Sequence, residues 1–359
     1  MNVPKLRFKE FNDEWINNFL SDIATITMGQ SPSSKNYTSN KNDIILIQGN
    51  ADLNNGHVVP RIFTTQITKT CNINDIIMTV RAPVGDTAIS DYNACIGRGV
   101  CAISGDKYIY HYLNYLKIND YWKKISKGST IDSITSNDIR NLNINFPNST
   151  ETKKIVKTLD LLDKKIFLQT KKIEDLKLFK LYNYDNLFSN QIREVQLKNI
   201  SKIEKGKQLN NELLIENGRY YMLNGGVSPS GYTNEYNANE NTITISEGGN
   251  SCGYVNFNKN KFWCGGHCYK VIPNGINNNY LYHNLKYNEK KIMDLRVGSG
   301  LPNIQKKDIE NFKISIHNEN EQLKISNYFD RYDLKIELEE LKLNKLMELK
   351  KGLMQNMFV

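Results

Sequence analysis

The cysteines and histidines are the first residues whose types and spacing could do chemistry. Cys264-Gly265-Gly266-His267-Cys268, with Cys252 upstream, sets thiols and an imidazole at the short spacings used for zinc. The set is incomplete, because Cys252 is single, no Cys-x-x-Cys pair exists, and the matching stretch of the first half offers only Cys95 and Cys101. Small buried thiols in a strand are the expectation, with no metal. His57, His111, His283 and His317 do not cluster, and His111 and His283 fall in amphipathic helical stretches. Methyl transfer to a base would call for an Asn/Asp-Pro-Pro-aromatic motif. Asn145-Phe146-Pro147-Asn148 does not supply one. A motor would call for a Gly-x-x-x-x-Gly-Lys-Ser/Thr phosphate loop, also absent. Glu340-Leu341-Lys342 and Glu348-Leu349-Lys350 have the Glu-x-Lys order of nucleases, but they lie in a long helical stretch where surface ion pairs account for them. No catalytic residue is expected.

Non-covalent recognition remains, and the elements that would position it come in duplicate. Shifting the sequence by 170 residues brings Gly128-Ser129 onto Gly298-Ser299, Asp138-Ile139 onto Asp308-Ile309, Ile155 onto Ile325, Asp160 onto Asp330, Lys180 onto Lys350 and Phe188 onto Phe358. Upstream the register drifts, leaving Ile76-Ile77-Met78 beside Ile243-Thr244-Ile245, Tyr110-His111 beside Tyr282-His283, and Gly29 beside Gly206. Each unit therefore has a variable front and a well-matched back. The 359 residues suit two domains, and the net charge of +9 leans towards a polyanionic partner. No apolar run is long enough to span a bilayer, and the polar stretch from Met1 to Glu10 lacks the core of a secretory signal. A soluble cytoplasmic protein with reduced thiols is expected.

Each back reads as one long helix. Asn148 and Asn318 are caps, with Glu151 and Glu321 placed to complete capping boxes. A seam at spacings of four and three follows, through Ile155, Leu159, Leu162, Ile166, Gln169, Ile173 and Leu176, and again through Ile325, Phe329, Tyr332, Ile336, Glu339, Leu343 and Leu346. At 1.5 Å per residue each helix would reach roughly 60 Å. So narrow a stripe needs a partner, and the two seams match in length, which predicts an antiparallel pair. Gln169 and Glu339 either meet near a pseudo-twofold axis or point to solvent at the edge of the seam. Each front is read as a curved sheet with short helices. The strands expected are Ile44–Ile47, Ile76–Val80, Val100–Ile103, Thr242–Ile245 and Lys313–Ile316. The helices are expected over Tyr108–Lys117 and Tyr280–Lys286.

Two variable α/β domains, each followed by a long helix, resemble the specificity subunit of type I restriction–modification systems. The resemblance covers essentially the whole chain. It is carried by Gly128-Ser129-Thr130-Ile131-Asp132-Ser133-Ile134 with Gly298-Ser299-Gly300-Leu301-Pro302-Asn303-Ile304, by Met28-Gly29-Gln30-Ser31-Pro32, and by the paired helices. It implies an α+β fold with a pseudo-twofold internal repeat. The target-recognition domains are expected at residues 1–147 and 190–317, separated by spacer helices at 148–189 and 318–359 that form an antiparallel coiled coil. It also implies a non-catalytic subunit that binds double-stranded DNA. Each domain would read half of a bipartite target, while the helices set the spacing and dock two methyltransferase subunits, joined by restriction/translocase subunits. This chain would bind no cofactor, and S-adenosylmethionine and ATP would sit on the partner subunits. A stand-alone DNA-binding regulator is the alternative. Exposed-looking apolar residues off the seam, Phe167, Leu168, Leu178, Leu181, Leu338, Leu341 and Leu349, weigh against it. Phosphate contacts need cations, and base readout needs forked or amide side chains on loops that reach a groove. The candidates are Gln30, Ser31, Lys35, Arg81, Arg98, Lys127 and Thr130 in the first domain, and Lys205, Lys207, Gln208, Asn224, Asn250, His267 and Asn303 in the second.

Overall fold

The computed structural model describes residues 3–126, 133–189, 193–298, 300 and 302–359. They form two compact units, residues 1–171 with 341–359, and residues 172–340. Each holds a globular lobe, made from one of the sequence fronts, and part of both long helices.

In the first unit the main sheet runs Thr25–Met28, Val100–Ser104, Ile76–Thr79, Thr87–Ile89, His57–Val58, Leu53–Asn54 in spatial order. Ile76–Thr79 is buried throughout and divides its side chains between two cores. Ile76 and Met78, with Cys101 and Ile103 of the adjacent strand, pack with Tyr108, Ile109 and Leu113 of the helix Lys107–Ile118. Ile77, Val100 and Ala102 face the other way, against Ile47 and Ile96 of the second sheet. Alternation across a strand buried on both faces explains why this stretch reads as a continuous apolar run. The second sheet runs Tyr37–Thr38, Ile62–Thr64, Ile44–Ile47, Ala94–Ile96, Lys69–Cys71. Ile16–Phe19 pairs separately with Asn143–Phe146.

The second unit repeats this plan with fewer strands. Its main sheet runs Ser201–Lys205, Cys268–Pro273, Thr242–Ser246, Val255–Asn258, and its lesser sheet Gly231–Thr233, Tyr220–Leu223, Trp263–Cys264. Arg193–Gln196 pairs with Lys313–Ile316 as the counterpart of the separate ladder. Ile243, Ile245, Tyr269 and Val271 pack with Leu281 and Leu285 of the helix Asn278–Tyr287. Every expected strand and helix is present within two residues of its expected ends.

The long helices span Ser149–Phe188 and Glu319–Met357. Ile155, Leu159, Leu162 and Ile173 are buried on one, and Ile325, Phe329 and Ile336 on the other, as the seam requires. Within the first unit Met354, Met357 and Phe358 share the core of Ile155 and Leu159, and Lys350 meets Asp163 at 2.5 Å. Within the second, Lys172 pairs with Glu339 at 2.9 Å, Lys180 with Asp333, and the Tyr184 ring lies 4.2 Å from Phe329. Numbers rise along one helix as they fall along the other, so the pair is antiparallel. Glu339 is buried and ion-paired, which overturns the solvent-facing reading for that residue.

Half of each expected capping box forms. Asn148 accepts from the Glu151 amide at 2.9 Å, and Asn318 from the Glu321 amide at 3.0 Å. The Glu151 carboxylate does not reach back. It is fully buried and accepts from Arg7 Nε and Nη2, both at 2.8 Å, and from Trp15 Nε1 at 3.3 Å. A charge-assisted pair with a guanidinium outcompetes a neutral amide for a buried carboxylate. Among the described residues Glu321 has no such arginine, and its Oε2 is buried without a hydrogen bond.

Each lobe is tied to its long helix by the same polar joint. His111, fully buried, meets Asp160 at 2.9 Å through Nε2, with Asp163 4.0 Å from Nδ1. His283, equally buried, meets Asp330 at 2.9 Å, with Asp333 at 4.0 Å. Only the second joint is completed, by the Tyr184 hydroxyl 2.9 Å from His283 Nδ1. The residue 170 positions after Tyr184 is Met354, and His111 Nδ1 has no hydrogen-bond partner.

Candidate nucleic-acid interface

The candidate residues gather where strands run out at one rim of each lobe. In the first lobe Thr25–Met28 continues into Gly29-Gln30-Ser31, Ala94–Ile96 turns through Gly97-Arg98-Gly99 into Val100–Ser104, and Ile76–Thr79 continues into Val80-Arg81. Backbone bonds lock the three segments together: Gly29 N to Val100 O at 3.0 Å, Gln30 N to Ile96 O at 2.9 Å, Gly97 N to Ile47 O at 2.8 Å and Val80 N to Gly99 O at 2.9 Å. Ser31 Oγ accepts from Arg98 N at 3.1 Å, and Arg81 bridges Ser133. A Cβ on Gly29 would collide with the Gly97 carbonyl, so the approach of the two segments requires glycine.

The second lobe repeats these bonds one for one. Gly206 N bonds Cys268 O at 2.8 Å, Lys207 N bonds Cys264 O at 2.9 Å, Gly265 N bonds Leu223 O at 2.8 Å, and Glu247 N bonds His267 O at 3.0 Å. Gly248 bridges Asn303, and a Cβ on Gly206 would collide with the Gly265 carbonyl. By these bonds Gly29 is equivalent to Gly206, Ser31 to Gln208, Val80 to Glu247, Arg81 to Gly248, and Arg98 to Gly266.

The shared backbone carries different side chains. Arg81 and Arg98 are exposed, and among the described residues neither guanidinium has a hydrogen bond or ion pair. In the second lobe the Glu247 carboxylate organises its neighbours, accepting from Lys205 Nζ at 2.6 Å and from the Tyr269 hydroxyl at 2.9 Å, with His267 Nδ1 at 3.4 Å. Burial alone would raise the Glu247 pKa. The bonds from Lys205 and Tyr269 outweigh it and hold the carboxyl below its ordinary range. Asn224 Oδ1 accepts from the His267 amide at 3.1 Å, and the Lys207 carbonyl accepts from Trp263 Nε1 at 2.8 Å.

The structure thus gathers Gln30, Ser31, Arg81 and Arg98 on the first rim. Lys205, Lys207, Gln208, Asn224, His267 and Asn303 lie on the second, with Asn250 on the adjoining turn Gly249–Ser251, whose Gly249 amide bonds Pro302. Lys35 stands apart on the turn Ser34–Asn36, whose flanks are tied to Gln66. Lys127 and Thr130 lie outside the described residues. Glu247 and Tyr269 are not among the candidates, because direct contact with phosphates or base edges calls for cations and amides. Their only sequence signal is an acid directly before Gly248-Gly249. All six cysteines are free and buried, and His267 Nδ1 lies 3.4 Å from the Glu247 carboxylate. Among the described residues no three His, Cys, Asp or Glu are grouped to hold a metal.

A duplicated lobe-plus-helix plan is what the comparison with known families bears on. The model of the type I restriction modification DNA specificity domain matches residues 12–178 and again residues 190–348. The chain belongs to that family. It is 32% identical over 174 residues to the MjaX type I restriction enzyme specificity subunit of Methanocaldococcus jannaschii, covering 47% of this chain and 40% of that protein. It is 35% identical over 161 residues to a type I specificity subunit of Mycoplasma pneumoniae, covering 44% of this chain and 42% of that protein. The chain thus spans about two fifths of the length of the curated relatives it matches first. The MjaIX specificity subunit of M. jannaschii aligns at 25% identity over 84% of this chain and 83% of its own. The fold matches the crystal structure of the type I restriction–modification S subunit of M. genitalium, with a TM-score of 0.72, 21% identity and 99% coverage of both chains. No helix among the described residues is long and apolar enough to cross a membrane.

Proposed function

We propose that this chain is the sequence-specific DNA-recognition subunit of a type I restriction–modification complex. Each lobe reads one half of a bipartite duplex target, and the antiparallel helices set the spacing. The observation that carries this reading is the duplicated rim: one locked backbone, presented twice, with unlike side chains. A reader of two unrelated half-sites needs a constant frame and variable contacts. Phe167, Leu168, Leu178, Leu181, Leu338, Leu341 and Leu349, on the long helices, are all exposed, Phe167 beside His57 of the first lobe. Such a surface supports docking of two methyltransferase subunits, with restriction/translocase subunits joining the assembly, over a stand-alone regulator. The chain does no chemistry and binds no cofactor. S-adenosylmethionine and ATP belong to the partner subunits. The test is co-expression with the methyltransferase subunits, with and without this chain, followed by sequencing of methylated adenines. The expected result is a split motif that vanishes when the chain is omitted. An unchanged methylation map would refute the reading.

A further inference from the structure

The matched rims put opposite chemistry at one backbone position. Arg98 crowns the turn Gly97-Arg98-Gly99, which is fixed by Gly97 N to Ile47 O at 2.8 Å, Val100 N to Gly97 O at 3.1 Å and Arg98 N to Ser31 Oγ at 3.1 Å. Its guanidinium is exposed and, among the described residues, unpaired. The second lobe has Gly266 there, beside the Gln208 side chain, which is exposed and, among the described residues, without a hydrogen bond. A phosphate contact needs only a cation within reach. Paired bonds to a base edge need a planar fork on a backbone that does not move, and this turn supplies one. Guanine offers O6 and N7 as adjacent acceptors in the major groove, which suit arginine. Adenine offers N7 and the N6 amine, which suit a side-chain amide.

We propose that Arg98 is the specificity-determining residue for a guanine in the first half-site, and that Gln208 reads an adenine at the equivalent place in the second. This deepens the DNA-recognition reading above and rests on it. The glycine makes the exchange testable, because a Cβ at Gly266 would be crowded by the Gln208 Oε1, at 3.1 Å, the end of a flexible side chain, while the Gln208 backbone N and Cβ lie at ordinary contact distances of 3.4 and 3.6 Å.

The experiment uses the full chain in complex with its methyltransferase subunits. A duplex pool randomised across the target is selected for binding at two salt concentrations and sequenced. For Arg98→Ala, preference at one guanine of the first half should fall roughly 5- to 150-fold, with the second half unchanged. For Gly266→Arg, a guanine preference should replace adenine in the second half only, a gain that misfolding cannot produce. Equal loss of binding to every sequence, with a shallower salt dependence, would make Arg98 a phosphate contact and overturn the proposal. Unchanged preferences in both variants would overturn it too. A wild-type complex that enriches no sequence would instead refute the recognition reading itself.

Discussion

The two lobes hold their rims with the same backbone bonds yet balance charge there in opposite ways. The first presents Arg81 and Arg98, whose guanidinium groups have no partner among the described residues. The second gathers Lys205 and His267 around the Glu247 carboxylate. A free guanidinium is available to a ligand at little cost, whereas a cation held by a buried-edge carboxylate must exchange one partner for another. The framework inverts that arrangement. At the helix starts the first lobe has the completed buried pair, Arg7 with Glu151, and the second leaves Glu321 without one. At the helix joints the second is complete, with Tyr184 on His283, and the first leaves His111 Nδ1 unpartnered. The repeat therefore conserves geometry while its polar details diverge independently at each site.

The largest effect should separate the helix starts. Glu151→Ala leaves the half-buried Arg7 guanidinium with only its bond to the Asp13 carbonyl and should cost about 3 kcal/mol. Glu321→Ala, which breaks no bond, should cost less than about 0.5 kcal/mol. Thermal and urea unfolding would measure both, and equal losses would refute the claimed difference. The joint should give a smaller effect. Tyr184→Phe removes the hydroxyl from His283 and should cost about 1 to 2 kcal/mol. The same joint predicts a pH dependence. Burial lowers the His283 pKa from its ordinary 6.5, so the folded chain favours neutral imidazole and the unfolded chain takes up a proton first. The stability it contributes is complete above pH about 6.5 and is lost as pH falls through the lowered folded-state value. Melting at pH 7.5 and 5.5 should show that loss, and His283→Gln should flatten it. A wild-type midpoint that does not fall with pH would count against the buried neutral histidine.

The helices were the most legible part of the chain, because a cap such as Asn148 and a seam such as Ile155–Leu159–Leu162 are local signals. The expected strands also formed, since Ile76–Thr79 reads as a buried run before any partner is known. The matching of rims was not legible. The first lobe carries the extra strands Tyr37–Thr38, Leu53–Asn54, His57–Val58 and Lys69–Cys71, so the register drifts between Gly29 and Gly97. Arg98 and Gly266 become equivalent only through hydrogen bonds to distant strands. The Arg7–Glu151 pair joins residues 144 apart, a contact with no local periodicity to betray it. Glu247 was not legible for a chemical reason: an acid on a surface proposed to meet DNA makes sense only once Lys205 and His267 are seen to surround it.

The division of labour between the lobes can be tested most directly by exchanging residues 1–150 for the front of another family member and mapping methylated adenines in the resulting complex. The account predicts a new sequence in one half of the target, with the other half and the spacing retained. A map in which both halves change, or neither does, would contradict it.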